Sequence, residues 1–377
     1  MFELIGLFCD KINQERADWL YQVLNIFVTS NYDTNIFLTG SALFFLLDRR
    51  TNRRWDKLKR NKNFEITTDP SESRIIGIEQ DDKIDSKGDH SIFWKKIINR
   101  IQNLKSIHSD PKIGFLLMDS PYFNRNSVFA IRIMNMILDN GKIPELYLYL
   151  DGLHVALKDQ KPSEFENIGT SIKKVDEILK NKGQDRHFWA CSRCATARGY
   201  VQEKTELGEF HTDVGEDWLQ IVNLNKIIDE FENPQIILSP NSIHINAVNS
   251  KNSSNKKPPL LLFITHDPYS TEWAFGAISF AVAAAHHRIY TSIVFIEDGI
   301  FSLVNKHQLV ASDKIFNIQE VISATLHDEY LKYYVYNPSL ELRGVKIDNM
   351  FKDISIITGA TIEKILKKDL NQRIILF

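Results

Sequence analysis

The sequence of 377 residues predicts an α/β protein made of three tandem domains, each a mostly parallel sheet with helices on both faces. Two observations lead to this fold class. Short apolar runs typical of strands alternate with segments whose apolar residues recur at helical spacing, and the whole alternation occurs three times. We expect domains at residues 1–108, 111–240 and 259–377. The Asn/Ser/Lys-rich stretch 241–258, flanked by prolines, is expected to be a flexible linker.

Each repeat begins with an apolar run that ends in an aspartate, at Asp10, Asp119 and Asp267. A polar loop, a helix and a second strand follow, and a glycine comes next at Gly40, Gly152 and Gly299. The intervals between aspartate and glycine are 30, 33 and 32 residues. Since the period exceeds 100 residues, the repeats are duplicated domains and not solenoid units.

A second glycine marks the later part of each repeat and follows a basic residue, in Lys87-Gly88, Arg198-Gly199 and Arg343-Gly344. The match at Lys87-Gly88 is the weakest. The residue eight positions earlier is Gln80 in the first repeat, Cys191 in the second and Tyr336 in the third. Only the middle repeat carries sulfur there. We therefore expect one chemically active domain and two that serve as scaffold or recognition surface.

The most informative stretch is His187 to Val201, HFWACSRCATARGYV. Its first four residues predict a buried strand, and the residues after Cys191 predict the first turns of a helix. Free N–H groups at a helix start stabilise a thiolate, and Arg193 and Arg198 add positive charge. In parallel sheets, reactive groups collect at the carboxyl ends of strands, so we expect the Asp119 loop nearby. The candidate catalytic residues are Cys191, Cys194, Arg193 and Arg198.

The cysteine pair has several interpretations. It could be two small buried core residues, a dithiol redox pair in which Cys194 resolves a disulfide or sulfenate, or a persulfide carrier at Cys191. Structural zinc is disfavoured, because His187 and His211 lack a recognisable ligand spacing. We expect no metal and no cofactor.

Two further features have a functional and a structural interpretation. Asp119, Ser120 and Tyr122 could orient a ligand, but helix capping and loop solvation explain such residues equally well. The basic run Arg49–Lys62, which contains Trp55, is more often a solvated face than a binding site, although it could meet an acidic protein or an RNA backbone. Nucleic acid is not an expected partner elsewhere in the chain.

Composition is that of an ordinary globular protein, with 43% hydrophobic and 25% charged residues and a net charge of −2. Three cysteines in so long a chain do not make a disulfide framework and fit a reducing cytosol. The N-terminus is predicted to be a first strand and not a signal peptide. The longest apolar-rich stretch, Trp273–Ala285, is too short to span a bilayer, so we expect a cytoplasmic protein without a membrane partner.

The middle repeat resembles the DsrE/DsrF-like sulfurtransferase family, which includes the TusB, TusC and TusD subunits. The resemblance rests on MDSPYFNRNSVFA, LDG and above all CSRCATARG. The third repeat resembles DsrF or TusC through DPYSTEWAFGAISFA, EDGIFSLV, SLELRGV and RIILF, but Tyr336 occupies the family's cysteine position. The first repeat is a distant match and lacks the motif around the cysteine.

The resemblance implies flavodoxin-like (DsrE-like) domains of about five strands, with Cys191 carrying persulfide sulfur. It implies a relay of the tRNA-thiolation or sulfur-oxidation type, from a TusA-like carrier to a DsrC- or TusE-like acceptor. The chain would then be a fused trimer that dimerises. The alternatives are a non-catalytic scaffold of a sulfur-transfer complex and a CxxC thiol-disulfide oxidoreductase. We expect exposure of Cys191 to separate carrier from scaffold.

Overall fold

The structure, a computed structural model, describes residues 2–78, 90–103, 112–184, 187–205, 209–231, 236–247, 257–368 and 372–377. Gln80 and Lys87-Gly88 lie outside the described residues, as do 248–256 of the expected linker. The expected α/β class is confirmed, because mostly parallel sheets are flanked by helices.

The first repeat supplies three parallel strands and six helical segments. The strands are β1 (Phe2–Phe8), β2 (Asp33–Leu38) and β3 (Phe64–Thr68). The helices are α1 (Gln14–Thr29), α2 (Phe44–Leu47), α3 (Arg49–Asn52), α4 (Asp56–Lys59), α5 (Pro70–Ile75) and α6 (His90–Asn103). Asp69 caps α5 by accepting from the N–H groups of Ser71 and Glu72, and Pro70 supports its first turn.

The middle repeat forms its own five-stranded parallel sheet in the order β10-β4-β5-β6-β9, with a short β7–β8 hairpin beside it. Its strands are β4 (Lys112–Leu117), β5 (Ile143–Leu148), β6 (Phe188–Cys191), β7 (Glu203–Lys204), β8 (Phe210–His211), β9 (Gln220–Val222) and β10 (Ile236–Leu238). Its helices are α7 (Asn126–Asp139), α8 (Ile168–Asn181), α9 (Ser192–Ala197) and α10 (Leu224–Phe231).

The expected linker is in part a strand. Asn241–Ala247 forms β11, which pairs antiparallel with β1 on one side and with the last strand of the third repeat on the other. The polar residues misled the prediction, because Asn241, Ser242 and His244 are buried inside the sheet together with Ile243 and Ile245. The prediction of a linker beginning at residue 241 was therefore wrong.

The third repeat contains five parallel strands and four helices. The strands are β12 (Leu260–Ile264), β13 (Thr291–Phe295), β14 (Leu331–Tyr336), β15 (Ser355–Ile357) and β16 (Arg373–Leu376). The helices are α11 (Trp273–His286), α12 (Ile318–Thr325), α13 (Asn337–Leu342) and α14 (Gly359–Lys368). Through β11, the first and third repeats share one nine-stranded sheet, β15-β14-β13-β12-β16-β11-β1-β2-β3.

The turn after the second strand corrects the predicted match between repeats. Thr39, Tyr149 and Ile296 each donate their N–H to the last carbonyl of the first strand, at Phe8, Leu117 and Ile264. The next residue has a positive φ in every repeat: Gly40 (55°), Leu150 (49°) and Glu297 (53°). Gly40 is therefore equivalent to Leu150 and Glu297, and not to Gly152 and Gly299 as the spacing predicted.

The position equivalent to Cys191 in the first repeat is Asp69, so the prediction of Gln80 was wrong. Asp69, Cys191 and Tyr336 are the N-caps of α5, α9 and α13. A glycine with positive φ lies eight residues after each of them: Gly77 (74°), Gly199 (74°) and Gly344 (63°). Spacing from the previous glycine misled the prediction because the segment before β3 is shorter in the first repeat.

The three domains contact one another in a closed cycle through equivalent elements. In each contact the left-handed residue of one domain meets the start of the first helix of the next. Gly40 faces Phe129 of α7, and Leu150 faces Gly276 of α11. Glu297 completes the cycle by accepting hydrogen bonds from Arg16 and Trp19 of α1, at 2.9 and 3.0 Å.

Candidate active site

Cys191 lies where the sequence predicted, at the point where a strand passes into a helix. The strand β6 is buried along its four residues, and Cys191 ends it and caps α9. Both cysteines belong to an apolar cluster that also contains Tyr149 and Leu150 and residues of α11 from the third domain. The cysteine pair therefore lies at the boundary between the second and third domains.

The pKa of the Cys191 thiol is lowered to about 7, chiefly by a hydrogen bond from the Cys194 thiol. The main-chain N–H groups of Cys194 and Arg193 and the charge of Arg193 act in the same direction, while burial opposes them. The pKa of Cys194 is raised by its hydrogen bond to Cys191 and by burial. The main-chain N–H of Leu150 donates to Cys194 Sγ at 3.3 Å. The pair is thus asymmetric, with Cys191 as the thiolate and Cys194 as the thiol that donates to it.

Burial alone does not produce this asymmetry, as Cys9 shows. Cys9 and Cys191 are both 1% exposed, and all three cysteines are free thiols. The pKa of Cys9 is raised well above its ordinary value by burial and by nearby carboxylates, Asp10 first among them. Cys9 thus has the character of an inert core residue, whereas Cys191 has that of a reactive cysteine.

The two candidate arginines take different places. Arg193 is exposed, and its guanidinium lies over the ring of Phe275 of the third domain, 5.7 Å from the centroid. Arg198 is largely buried and bonds Asp151 of its own domain at 2.6 Å and Glu272 of the third domain at 2.6 Å. Its Nη1 also reaches the carbonyl of Cys194 at 3.5 Å. Arg193 therefore acts on the thiolate, and Arg198 ties α9 to the next domain.

The third domain contributes residues that the sequence analysis did not single out. Besides Glu272 and Phe275, the carbonyl of Gly276 accepts a hydrogen bond from Tyr149 Oη at 2.9 Å. The run STEWAFG contains all three third-domain residues, but only packing between domains shows that they face the cysteines. The one available sequence signal was a glycine in an otherwise alanine-rich helix.

The Asp119 loop is at the same sheet edge but belongs to a different contact. Asp119 accepts a hydrogen bond from Asn126 Nδ2 at 2.7 Å, and Asn126 also bonds Asp10 of the first domain at 3.2 Å. Burial and the charge of Asp10 raise the pKa of Asp119 to about 6. The strand β5 separates β4 from β6, so this loop faces the first domain while Cys191 faces the third.

The other loop residues make local contacts. Ser120 Oγ bonds only weakly to the carbonyl of Pro121, at 3.5 Å. Tyr122 Oη donates to Gln160 at 2.8 Å. In the third domain Asp267 accepts from the N–H groups of Tyr269 and Ser270, at 3.3 and 2.9 Å, and so stabilises a turn of the loop before α11.

The basic side chains of the run Arg49–Lys62 form a solvent-exposed face of the protein. All eight of its arginines and lysines are exposed. Trp55 is fully buried against Phe45, with its indole N–H on the carbonyl of Ala17 at 2.9 Å. The aromatic residue that could have stacked on a nucleic-acid base is therefore part of the core.

The described residues contain neither a ready metal site nor a membrane-spanning helix. Among them, no group of three or more His, Cys, Asp or Glu side chains is arranged to hold a metal ion. Within the same residues, no helix combines the length and the apolar character needed to cross a membrane.

Comparison with known proteins assigns the second and third repeats to a protein family. A family model described as DsrE/DsrF-like family matches residues 111–231 and 259–376, together well over half of the chain. Among curated proteins none matches. A solved structure, the ychN protein from E. coli, is 12% identical with a TM-score of 0.28 and covers 32% of this chain and 99% of its own.

Proposed function

Since the chain belongs to the DsrE/DsrF-like family, which is associated with sulfur relay, we propose that it is a sulfur carrier that works through Cys191. The observation that supports this most is the pKa of Cys191, lowered to about 7 in a buried site where an isolated thiol would be raised. A lowered pKa favours the thiolate, which is the nucleophile of sulfur exchange.

The proposed transfer has two steps without net oxidation. The Cys191 thiolate attacks the outer sulfur of a donor persulfide R–S–SH, so that a new S–S bond forms at Cys191, the donor S–S bond breaks, and R–S⁻ leaves. An acceptor thiolate then attacks the outer sulfur of Cys191–S–SH and takes it, and the Cys191 thiolate is regenerated. Cys194 and the N–H groups of α9 stabilise that thiolate as the leaving group.

The burial of Cys191 adds a condition to this mechanism. A sulfur carrier needs a thiol that a partner protein can reach, and the Cys191 side chain, at 1% exposed, is not accessible in this conformation. We infer that transfer requires the groups over Sγ to move aside when donor or acceptor docks. The scaffold interpretation requires no such movement, which makes loading of Cys191 the decisive measurement.

The proposed partners are a TusA-like donor and a DsrC- or TusE-like acceptor, in a cytoplasmic relay of the tRNA-thiolation or sulfur-oxidation type. The low number of cysteines, three in 377 residues, supports a reducing compartment. The cyclic contact of the three domains supports a fused trimer, and we propose that two such chains dimerise.

The test is intact mass after reduced protein is incubated with glutathione persulfide. Wild type, Cys191→Ser, Cys194→Ser and Cys9→Ser are compared, the last being a matched buried cysteine. We expect a gain of one sulfur, about 32 Da, that only Cys191→Ser abolishes. No gain in the wild type would overturn the proposal, and loss of two hydrogens on mild oxidation would then favour a Cys191–Cys194 disulfide reductase.

A further inference from the structure

One turn of a third-domain helix faces the cysteine site at three points. Glu272, Phe275 and Gly276 are spaced so that they lie on the same side of α11. They contact Arg198, Arg193 and the Tyr149-Leu150 pair of the second domain. The third domain, which has no cysteine of its own, therefore supplies part of the surroundings of the Cys191 thiol.

The contact at Gly276 connects to the thiol through the main chain. A Cβ at this position would lie 2.8 to 3.2 Å from side-chain atoms of Leu150, so the missing side chain lets Leu150 approach the helix. Leu150 has a φ of 49°, which is strained for a residue with a branched side chain. Its N–H donates to Cys194 Sγ at 3.3 Å, and Cys194 is the group that does most to lower the pKa of Cys191. The contact of Leu150 with α11 thus fixes the N–H that holds Cys194 Sγ, and thereby the position of Cys194 beside the Cys191 thiolate.

The contact at Phe275 acts on the charge nearest the thiolate. Arg193 is exposed, and its guanidinium lies over the Phe275 ring, 5.7 Å from the ring centroid. The Phe275 ring also contacts Phe316 edge-on, with the two ring centroids 4.9 Å apart. A flexible arginine is thereby placed beside the cysteine by an aromatic residue of the next domain.

We propose that the third domain completes the Cys191 site, with Phe275 and Gly276 as positioning residues that set thiol reactivity through Arg193 and through Leu150 with Cys194. This inference rests on the proposed function and assigns a role to the repeat that has no cysteine. The charged and titratable groups around the pair are Cys194, Arg193, Arg198, Tyr149, Asp151 and Glu272. A shift of α11 moves Cys194 through Leu150 and moves Arg193 through Phe275.

The test is the rate of alkylation of Cys191 by iodoacetamide from pH 5.5 to 9.5, read by peptide mass so that Cys9 and Cys194 do not contribute. Phe275→Leu and Gly276→Ala are compared with wild type. We expect the apparent pKa of Cys191 to rise by a few tenths of a unit, and the rate at pH 6.5 to fall by about two- to threefold. Gly276→Ala favours the helix, so this variant keeps α11 folded.

Phe129→Leu is the matched control, because Phe129 occupies the start of α7 at the contact between the first and second domains. It should leave the pH profile unchanged while lowering stability as Phe275→Leu does. Equal profiles for wild type, Phe275→Leu and Gly276→Ala would overturn the inference. A shifted profile without any persulfide loading would instead refute the proposed function and leave the positioning role standing.

Discussion

The second–third and third–first domain contacts share one framework and differ at the atoms that matter for chemistry. The N–H of Leu150 donates to Cys194 Sγ, and the N–H of Glu297 donates to Ser339 Oγ at the equivalent place, at 3.3 and 3.0 Å. Arg198 bonds Asp151 and Glu272, while Arg343 bonds Asp298 and Glu15. Both contacts therefore contain an arginine that bonds one acid of its own domain and one of the next domain. Reactivity depends on the residue at the N-cap position beside this arginine, which is Cys191 in one contact and Tyr336 in the other.

The first–second contact also joins its domains through arginine–carboxylate pairs. Here Glu72, three residues after Asp69, is the buried acid, and Arg125, the N-cap residue of α7, and Arg132 of α7 bond it at 2.8 Å each. The acid lies on the earlier domain and the arginines on the next, as in the Glu297–Arg16 pair of the third–first contact and opposite to the Arg198–Glu272 and Arg343–Glu15 pairs. The third–first contact therefore contains ion pairs of both senses.

The largest difference between the two similar contacts should be in stability. Glu15 is 17% exposed and accepts from Ser339 at 2.6 Å and from Arg343 at 3.0 Å, whereas Glu272 is 56% exposed. We expect Glu15→Ala to lower the free energy of unfolding by about 2–3 kcal/mol, since Arg343 loses its more buried partner and keeps only the exposed Asp298, and Ser339 loses its acceptor. Glu272→Ala should cost less than about 1 kcal/mol. Urea unfolding checks both, and equal losses would contradict the difference in burial.

A cysteine placed in the third domain should be far less reactive than Cys191. In Tyr336→Cys, made on a Cys191→Ser background, Pro338 stands where the second domain has Arg193, and Ser339 donates to Glu15 instead of to residue 336. We expect iodoacetamide to react with it at least about tenfold more slowly at pH 7, as for an ordinary thiol. Comparable rates would show that the shared framework alone activates a cysteine.

Removing the thiol donor should raise the pKa of Cys191. Cys194→Ala takes away the hydrogen bond that does most to lower that pKa, so the alkylation rate at pH 6.5 should fall by about three- to tenfold. Cys194→Ser keeps a donor and should retain most of the rate. If alanine and serine behave alike, the hydrogen bond is not the cause.

The smallest effects concern Asp119 and His266, each two residues beyond the first strand of its domain. Burial raises the pKa of Asp119 to about 6, so its contribution to stability is complete below pH 3.8 and is lost as pH rises through 6. Burial lowers the pKa of His266, so its contribution is complete above pH 6.5 and is lost as pH falls.

Asp119→Asn and His266→Gln should therefore change the pH dependence of stability in opposite directions. Compared with Asp119→Asn, the wild type should lose stability as the pH rises. Compared with His266→Gln, the wild type should lose stability as the pH falls. The change should not exceed about 1.4 kcal/mol per pH unit. Thermal unfolding from pH 4 to 7 measures it, and slopes of the same sign would refute the assignment.

Local sequence was sufficient to predict the α/β class and the placement of Cys191 between strand and helix. These features depend on hydrophobic periodicity and on residues close in sequence. The match of the first repeat failed because glycine spacing was used across a loop of different length, so Gln80 was chosen in place of Asp69. The strand at 241–247 was missed because its alternation is short and lies beside a polar run.

The partners of the cysteine pair could not be predicted. Glu272, Phe275 and Gly276 face Cys191 only because the second and third domains pack against each other, a relation that no local pattern encodes. The position of Cys194 likewise depends on the N–H of Leu150, from a turn more than forty residues before Cys194.

The strand β11 gives this chain an order of assembly during synthesis. Leu4 pairs with Ile245, so β1 leaves the ribosome with the intervening middle domain still to be made. At roughly 5–20 residues per second, that interval lasts tens of seconds. For that time the inner edge of the first sheet has no strand to pair with, and such an edge attracts other strands. The first domain is thus completed only after β11 has been made, and until then its open edge exposes the unfinished chain to pairing with other strands.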